Sequence, residues 1–188
     1  MENINEYKKI VRSFLSDKRY EHSVAVSKEA MRLAKKYGAD EKKAETAGIL
    51  HDIMKESPPD TQLETIADFG VVLNDIELST KKLWHQIAAA VYAENVLHIA
   101  DGDVINAIRY HTSGRGNMSI LEKVIFIADF TSKDRDYNGV EDMRRLAEKS
   151  LEAAMAEGLS FVLIELAEEK RPIIADTIEA YNQAITNL

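Results

Sequence analysis

The chain has 188 residues, 45% hydrophobic and 30% charged, which suffices for one packed core and excludes a disordered tail or a collagen-like rod. Its 24 Lys and Arg against 32 Asp and Glu give a net charge of -8, which opposes nonspecific binding to nucleic-acid polymers or anionic membranes. With no cysteine and five histidines, disulfides, thiolate zinc sites, iron–sulfur clusters and cysteine nucleophiles are excluded, so any metal must sit on His, Asp and Glu.

The first residues, Met1 to Glu6, are polar and acidic and do not resemble a signal peptide. No apolar run approaches the length of a membrane span, so the cytoplasm is the expected compartment. Three Pro and eight Gly punctuate a sequence dominated by helical periodicity, which predicts an all-α fold: one compact multi-helix domain over residues 1–188. Tyr7, Ile10, Val11 and Phe14 line one face of a first helix. Ser16-Asp17 offers an N-cap for a second helix ending at Gly38, and Asp40 caps a third that runs to about Glu56. Ser57-Pro58-Pro59-Asp60 breaks that helix, and Asp60 begins the next. Shorter helices are expected over about 60–69, 80–97, 102–112, 118–131 and 140–149. A further helix runs from Leu151 to about Lys170 and stops before Pro172. Asp176-Thr177-Ile178-Glu179 has the form of a capping box and starts a final helix.

His51-Asp52 is the first feature with chemical content. Near a helix end, adjacent side chains diverge by about 100 degrees and both reach a metal placed between them. Upstream, Ala44, Ala47 and Gly48 make a low-profile surface that admits a neighbouring helix. His22 shares a helix face with Arg19, His85 is followed by the small Ala88 and Ala89, and His111 ends a helix just before Thr112-Ser113-Gly114. Each alone reads as readily as a capped or surface histidine. Asp129 follows the apolar run Val124 to Ala128, and a buried carboxylate there requires a partner, either Arg109 or a metal. Lys55 lies four residues after His51 and on its face, where an ammonium would meet phosphate oxygens or a leaving group. The glycines of the loop 112–117 would let backbone N–H groups approach a phosphate. Trp84, Tyr110, Phe130 and Tyr137 are stacking candidates for a base, though aromatics at helical spacing are more often core.

In order, His22, His51-Asp52, His85, His111 and Asp129 make the pattern H…HD…H…H…D, which resembles the HD-domain metal-dependent phosphohydrolases with two-metal sites. More narrowly, the chain resembles the YqeK-type branch, the symmetrical diadenosine tetraphosphate hydrolases. The narrower match rests on Arg19-x-x-His22-Ser23, Gly48-Ile49-Leu50-His51-Asp52-Ile53-x-Lys55, Ala107-Ile108-Arg109-Tyr110-His111-Thr112-x-Gly114, Met118-Ser119, Ala128-Asp129 with Arg135, and Asp176 to Asn182. The chain lacks the HD-x-x-ED pattern of guanosine tetraphosphate hydrolases and the Gly-Tyr-Pro of cyclic-di-nucleotide phosphodiesterases. It departs from the branch at Trp84-His85-Gln86, where Leu-His-Gly is usual, and at Thr131-Ser132-Lys133, where Ile-Glu-Pro is usual.

The resemblance implies an HD-domain fold, with metal ligands between residues 22 and 129 and a C-terminal helical extension over about 140–188. It further implies cleavage of the central phosphoanhydride of dinucleoside polyphosphates to two nucleoside diphosphates. His22, His51, Asp52 and Asp129 would hold one divalent ion, and His85 and His111 a second, bridged by Asp52. Iron is favoured by the resemblance, while His with carboxylate also suits manganese or cobalt. Asp52 and Lys55 are the candidate catalytic residues, and Arg19, Lys55, Arg109, Thr112, Gly114 and Arg135 the candidate phosphate contacts. Two bound cations would invert the acidic field that a polyphosphate otherwise meets. Alternatives are hydrolysis of another nucleotide or phosphodiester, or a noncatalytic nucleotide-sensing domain. The last two helices carry apolar stripes that would serve a homodimer or complete the core.

Overall fold

The computed structural model describes residues 4–188, and the reading of Met1, Glu2 and Asn3 lies outside the described residues. These residues form eleven helices and no strand. The first three are α1 (Ile4–Phe14), α2 (Asp17–Tyr37) and α3 (Glu41–Leu50). The Ser16 hydroxyl accepts from the Arg19 N–H and Gly38 takes the left-handed conformation at the far end, so α2 starts and stops where local chemistry predicts. Asp40 caps α3 by accepting from the N–H groups of Lys42 and Lys43. The small face of α3 meets α2 closely: a Cβ on Gly48 would lie 2.7 Å from the Ser27 Cα.

The α-helix ends at Leu50, six residues short of the expected Glu56. The chain then tightens into turns in which Ile53, Lys55 and Ser57 donate to the carbonyls three residues back. Pro58 and Pro59 have no N–H to continue a helix, and buried Gln62 donates to the carbonyls of Met54 and Ser57. The next helix, α4 (Pro59–Asp68), has Pro58 at its N-cap and Pro59 inside the first turn, so Asp60 lies within the helix rather than at its cap. A five-residue α5 (Asp75–Ser79), absent from the sequence reading, is fixed by a capping box between Asn74 and Glu77.

The remaining helices are α6 (Lys81–Asn95), α7 (Gly102–Arg109), α8 (Ile120–Thr131), α9 (Val140–Lys149), α10 (Leu151–Glu168) and α11 (Ala175–Thr186). Asp101 caps α7, and Ser119 with Glu122 forms a capping box on α8. At α11 the expected box does not form. Ile174, buried in the core, occupies the N-cap without a side-chain bond, and Asp176 falls in the first turn, where its charge faces the helix dipole. Tertiary anchoring of Ile174 therefore sets that boundary.

Helix α8 is apolar on nearly all sides, with Leu121 and Val124 to Ala128 buried, as a central helix requires. It packs against α2, α3 and α7 on one side and against α9 and α10 on the other. One cluster of buried side chains runs from Val11 in α1 through Phe126 in α8 to Ala184 in α11. No helix among the described residues is long and apolar enough to cross a membrane.

Candidate metal centre

Five segments bring the six expected donors together: α2 with His22, the turn after α3 with His51 and Asp52, α6 with His85, the turn after α7 with His111, and α8 with Asp129. The imidazoles form a row, with ring centroids 5.5 Å apart from His22 to His51, 4.8 Å from His51 to His111 and 5.2 Å from His111 to His85. Asp52 lies along that row. Its Oδ1 is 3.4 Å from His85 Nε2 and 3.5 Å from His111 Nε2, while its Oδ2 is 3.6 Å from His51 Nε2. At the far end His22 Nε2 is 3.0 Å from Asp129 Oδ1.

Ring orientation is set from behind. The Nδ1–H of His51 donates to the Gly48 carbonyl at 2.7 Å and that of His111 to the Ile108 carbonyl at 2.8 Å. Each N–H is thereby fixed on Nδ1, leaving an Nε2 lone pair facing inward. His22 achieves the same through the Asp134 carboxylate, 2.7 Å from its Nδ1. Sequence reasoning missed Asp134, whose only signal was a third carboxylate close behind Asp129.

The donor set fits divalent metal. His22 Nε2, His51 Nε2 and Asp52 Oδ1 are buried and have no hydrogen-bond partner, an arrangement that costs about 1–3 kcal/mol per atom unless a cation is held there. Donor atoms of His22, His51 and Asp129, and again of His51, Asp52 and His111, lie within 4.8 Å of one another. Burial lowers His51 to about 4 and His85 well below its ordinary range, so both are neutral near neutral pH. Burial alone would raise Asp52 and Asp129, but the imidazoles and Lys55 around Asp52, and His22 with Arg135 beside Asp129, leave both carboxyls below their ordinary range. Burial opposes protonation of His22 as well, yet the neighbouring Asp129 carboxylate leaves its pKa raised.

The cations predicted for phosphate have separate placements. Arg19 Nη1 lies 3.1 Å from Asp52 Oδ2, and Arg135 pairs with the Asp129 side chain and donates to its carbonyl. Arg109 is not the counter-charge of Asp129; its guanidinium pairs with Glu77 at 2.6 Å, because the capping carboxylate of α5 lies beside it. The tight turns after α3 bring Lys55 Nζ to 3.1 Å from His85 Nε2. Thr112 Oγ1 lies 3.4 Å from His85 Nε2. Gly114 has a positive φ of 65°, and a Cβ there would lie 3.0 Å from the Ala180 Cβ, so this glycine serves close packing against α11.

The unusual Gln86 is fully buried and ties the loop after His111: its Oε1 accepts from the Thr112 N–H at 3.0 Å and its Nε2 donates to the Ser113 hydroxyl at 3.1 Å. Trp84 is buried with its indole N–H on the Glu77 carbonyl, and the Tyr110 ring sits under the guanidiniums of Arg109 and Arg115, each 5.1 Å away. Phe130 and Tyr137, by contrast, line a cleft of about 260 Å³ together with Asp129, Arg135 and Phe161. Phe161 had no signal in the sequence beyond its place on an apolar stripe.

A family model for the HD domain matches residues 19–134. The chain is 36% identical over 176 residues to the symmetrical bis(5'-nucleosyl)-tetraphosphatase of Bacillus subtilis, covering 94% of each chain. It is 38% identical over 176 residues to the protein of that name in Halalkalibacterium halodurans, again covering 94% of each. A crystal structure from Clostridium acetobutylicum, described as a predicted HD superfamily hydrolase involved in NAD metabolism, superposes over 100% of both chains with a TM-score of 0.95 at 34% identity.

Proposed function

The chain belongs to the HD domain family, and from that premise we propose that it is a metal-dependent hydrolase that cleaves the central phosphoanhydride of diadenosine tetraphosphate and similar dinucleoside polyphosphates. The observation that carries the reading is the meeting of four histidines and two aspartates from five segments around inward-facing lone pairs. Two divalent ions, iron being our choice, would be held by His22, His51, Asp52 and Asp129 and by His85 and His111, with Asp52 shared between them. Bound there, they would supply Lewis acidity toward phosphoryl oxygens and lower the pKa of water.

The chain's own side chains orient the reaction. Water forms a bond to one inner phosphorus, the bond from that same phosphorus to the central bridging oxygen breaks, and that oxygen leaves with the other diphosphate and takes the proton. Arg19 and Arg135 sit on the ligand carboxylates and add positive charge beside the scissile region. Lys55 holds an ammonium at the His85 end, suited to the developing charge on the leaving group. Thr112 and the 112–114 loop border the same end. Arg109, a candidate phosphate contact, is paired here with Glu77 of α5.

We read residues 1–188 as one domain in which α9 to α11 form the C-terminal extension, a reading supported by the shared core cluster. The same reading has the protein act in the cytoplasm on nucleotides and not on nucleic-acid polymers. Ile164, Ile178 and Ile185 are exposed on α10 and α11 and support a homodimer, which light scattering would test.

The deciding experiment is metal analysis of anaerobically purified protein followed by chromatography of products from diadenosine tetraphosphate. Release of ADP alone is expected; AMP with ATP would reject symmetrical cleavage, and failure to retain any transition metal would favour a noncatalytic sensing domain. Lys55→Ala should slow turnover roughly tenfold while leaving metal content intact, and unchanged kinetics would reassign Lys55 to the surface.

A further inference from the structure

The cleft beside Asp129 has two unlike ends. One end is polar: it contains Asp129, a donor of the cluster, and Arg135, whose guanidinium is bound to that carboxylate. The other is walled by Phe130, Tyr137 and Phe161, with the Phe161 ring centroid 6.0 Å from Phe130 and 6.1 Å from Tyr137. The walls are held rather than loose. Tyr137 donates its hydroxyl to the Phe130 carbonyl at 3.2 Å, and Phe130 leans on the buried Phe126 at 5.3 Å. Phe161 nevertheless remains 48% exposed, a large aromatic surface left in water next to a charged site. The three rings also line an adjoining cavity of about 400 Å³ edged by Asn138, Arg145 and Lys149, so the aromatic end is open to a planar group larger than a single ring.

We propose that this cleft seats one nucleobase of the substrate, stacked on Phe161 against the Phe130–Tyr137 wall, while the attached phosphates run past Arg135 to the metal centre. The proposal rests on the nucleotide-hydrolase reading above and adds the base subsite to it. A nucleoside polyphosphate has the same asymmetry as the cleft, an anionic chain at one end and a flat π-system at the other. Aromatic stacking is tolerant of base identity, so the cleft recognises a nucleotide as a class.

Isothermal titration of the metal-loaded protein with ADP and, separately, with inorganic pyrophosphate tests this. In Phe161→Ala the ADP affinity should fall roughly tenfold or more while pyrophosphate affinity stays put, because the pyrophosphate has no base to stack. Phe161→Trp should keep ADP affinity, and Phe161→Leu, apolar but without a π-face, should not restore it. Steady-state kinetics should show the loss in KM for diadenosine tetraphosphate and not in kcat. An unchanged ADP-to-pyrophosphate affinity ratio in Phe161→Ala, or an equal loss of both, overturns the subsite even when the wild type hydrolyses the dinucleotide to ADP. A wild type that binds ADP with the expected Phe161 dependence yet releases no ADP from the dinucleotide overturns the reaction and leaves the subsite standing.

Discussion

The two ends of the histidine row are built differently. At the His22 end, the Asp129 side chain is 21% exposed and opens onto the aromatic cleft, and His22 is aimed by a carboxylate from the loop after α8, 112 residues along the chain. At the His85 end, the side chains of His85, His111 and Asp52 are at most 4% exposed. There His111 is aimed by the carbonyl three residues before it, and Gln86 locks the adjoining loop from beneath. The closed end is preorganised by its own helices, whereas the open end is completed by long-range contacts and gives access. Arg144 reinforces the open end by donating to the carbonyls of Thr131, Ser132 and Arg135, which fixes the loop that carries Asp134.

Because Asp52 touches His51, His85 and His111 along the row, Asp52→Ala is expected to have the largest effect, removing metal and reducing hydrolysis by about a thousandfold or more with little change in helical circular dichroism. Full activity in that variant would sink the mechanism. Acidification of metal-free protein should strain the buried interior of the row. His51 has a folded pKa of about 4 against an ordinary 6.5, so the unfolded chain protonates first and stability falls as pH drops from 6.5 to 4, by on the order of 3 kcal/mol. Burial lowers His85 too, which adds to the fall. His22 is raised, so its stabilisation is gained as pH falls to 6.5 and adds no slope below it. Calorimetric stability that stays flat across that window would show that His51 is not held neutral.

A narrower probe acts on the open end alone. Asp134→Ala should weaken metal binding roughly 10- to 100-fold by freeing the His22 ring, and Asp134→Asn, which keeps an accepting oxygen, should restore most of it. Equal metal titrations for all three proteins would remove Asp134 from the site. The smallest effect is expected at the closed end. Gln86→Leu strands the Thr112 N–H and costs about 1.5 kcal/mol in thermal or denaturant unfolding, with metal affinity at the His22 end unchanged.

Local chemistry explains what the sequence makes legible. Ser16, Gly38 and Asp40 act within one helical turn, so the ends of α2 and the start of α3 can be read from neighbouring residues. The same code appears at Asn74-x-x-Glu77 and Ser119-x-x-Glu122, where it forms, and at Asp176-x-x-Glu179, where burial of Ile174 overrides it. The six donors are legible by spacing and residue type, and they converge. Their unequal exposure is not legible, because it depends on the cleft that Phe130 of α8 and Phe161 of α10 line beside Asp129. Asp134 and Phe161 escaped notice, and Gln86 stood out only as a departure, for a related reason: each acquires its meaning from partners on other segments. The partner of Lys55, His85, was not legible either, because the chain after α3 coils more tightly than the α-helix that the spacing implies.

Gly48 answers to two masters. Its missing side chain lets the backbone of α2 pass at Ser27, and its carbonyl takes the proton-bearing nitrogen of His51. Packing and ligand orientation are therefore coupled at a single position, with His22 carried on the helix that any added methyl would push outward. In a saturation library scored separately for soluble yield and for metal retention, residue 48 should fail both screens together. Most other positions in α3 should fail only one.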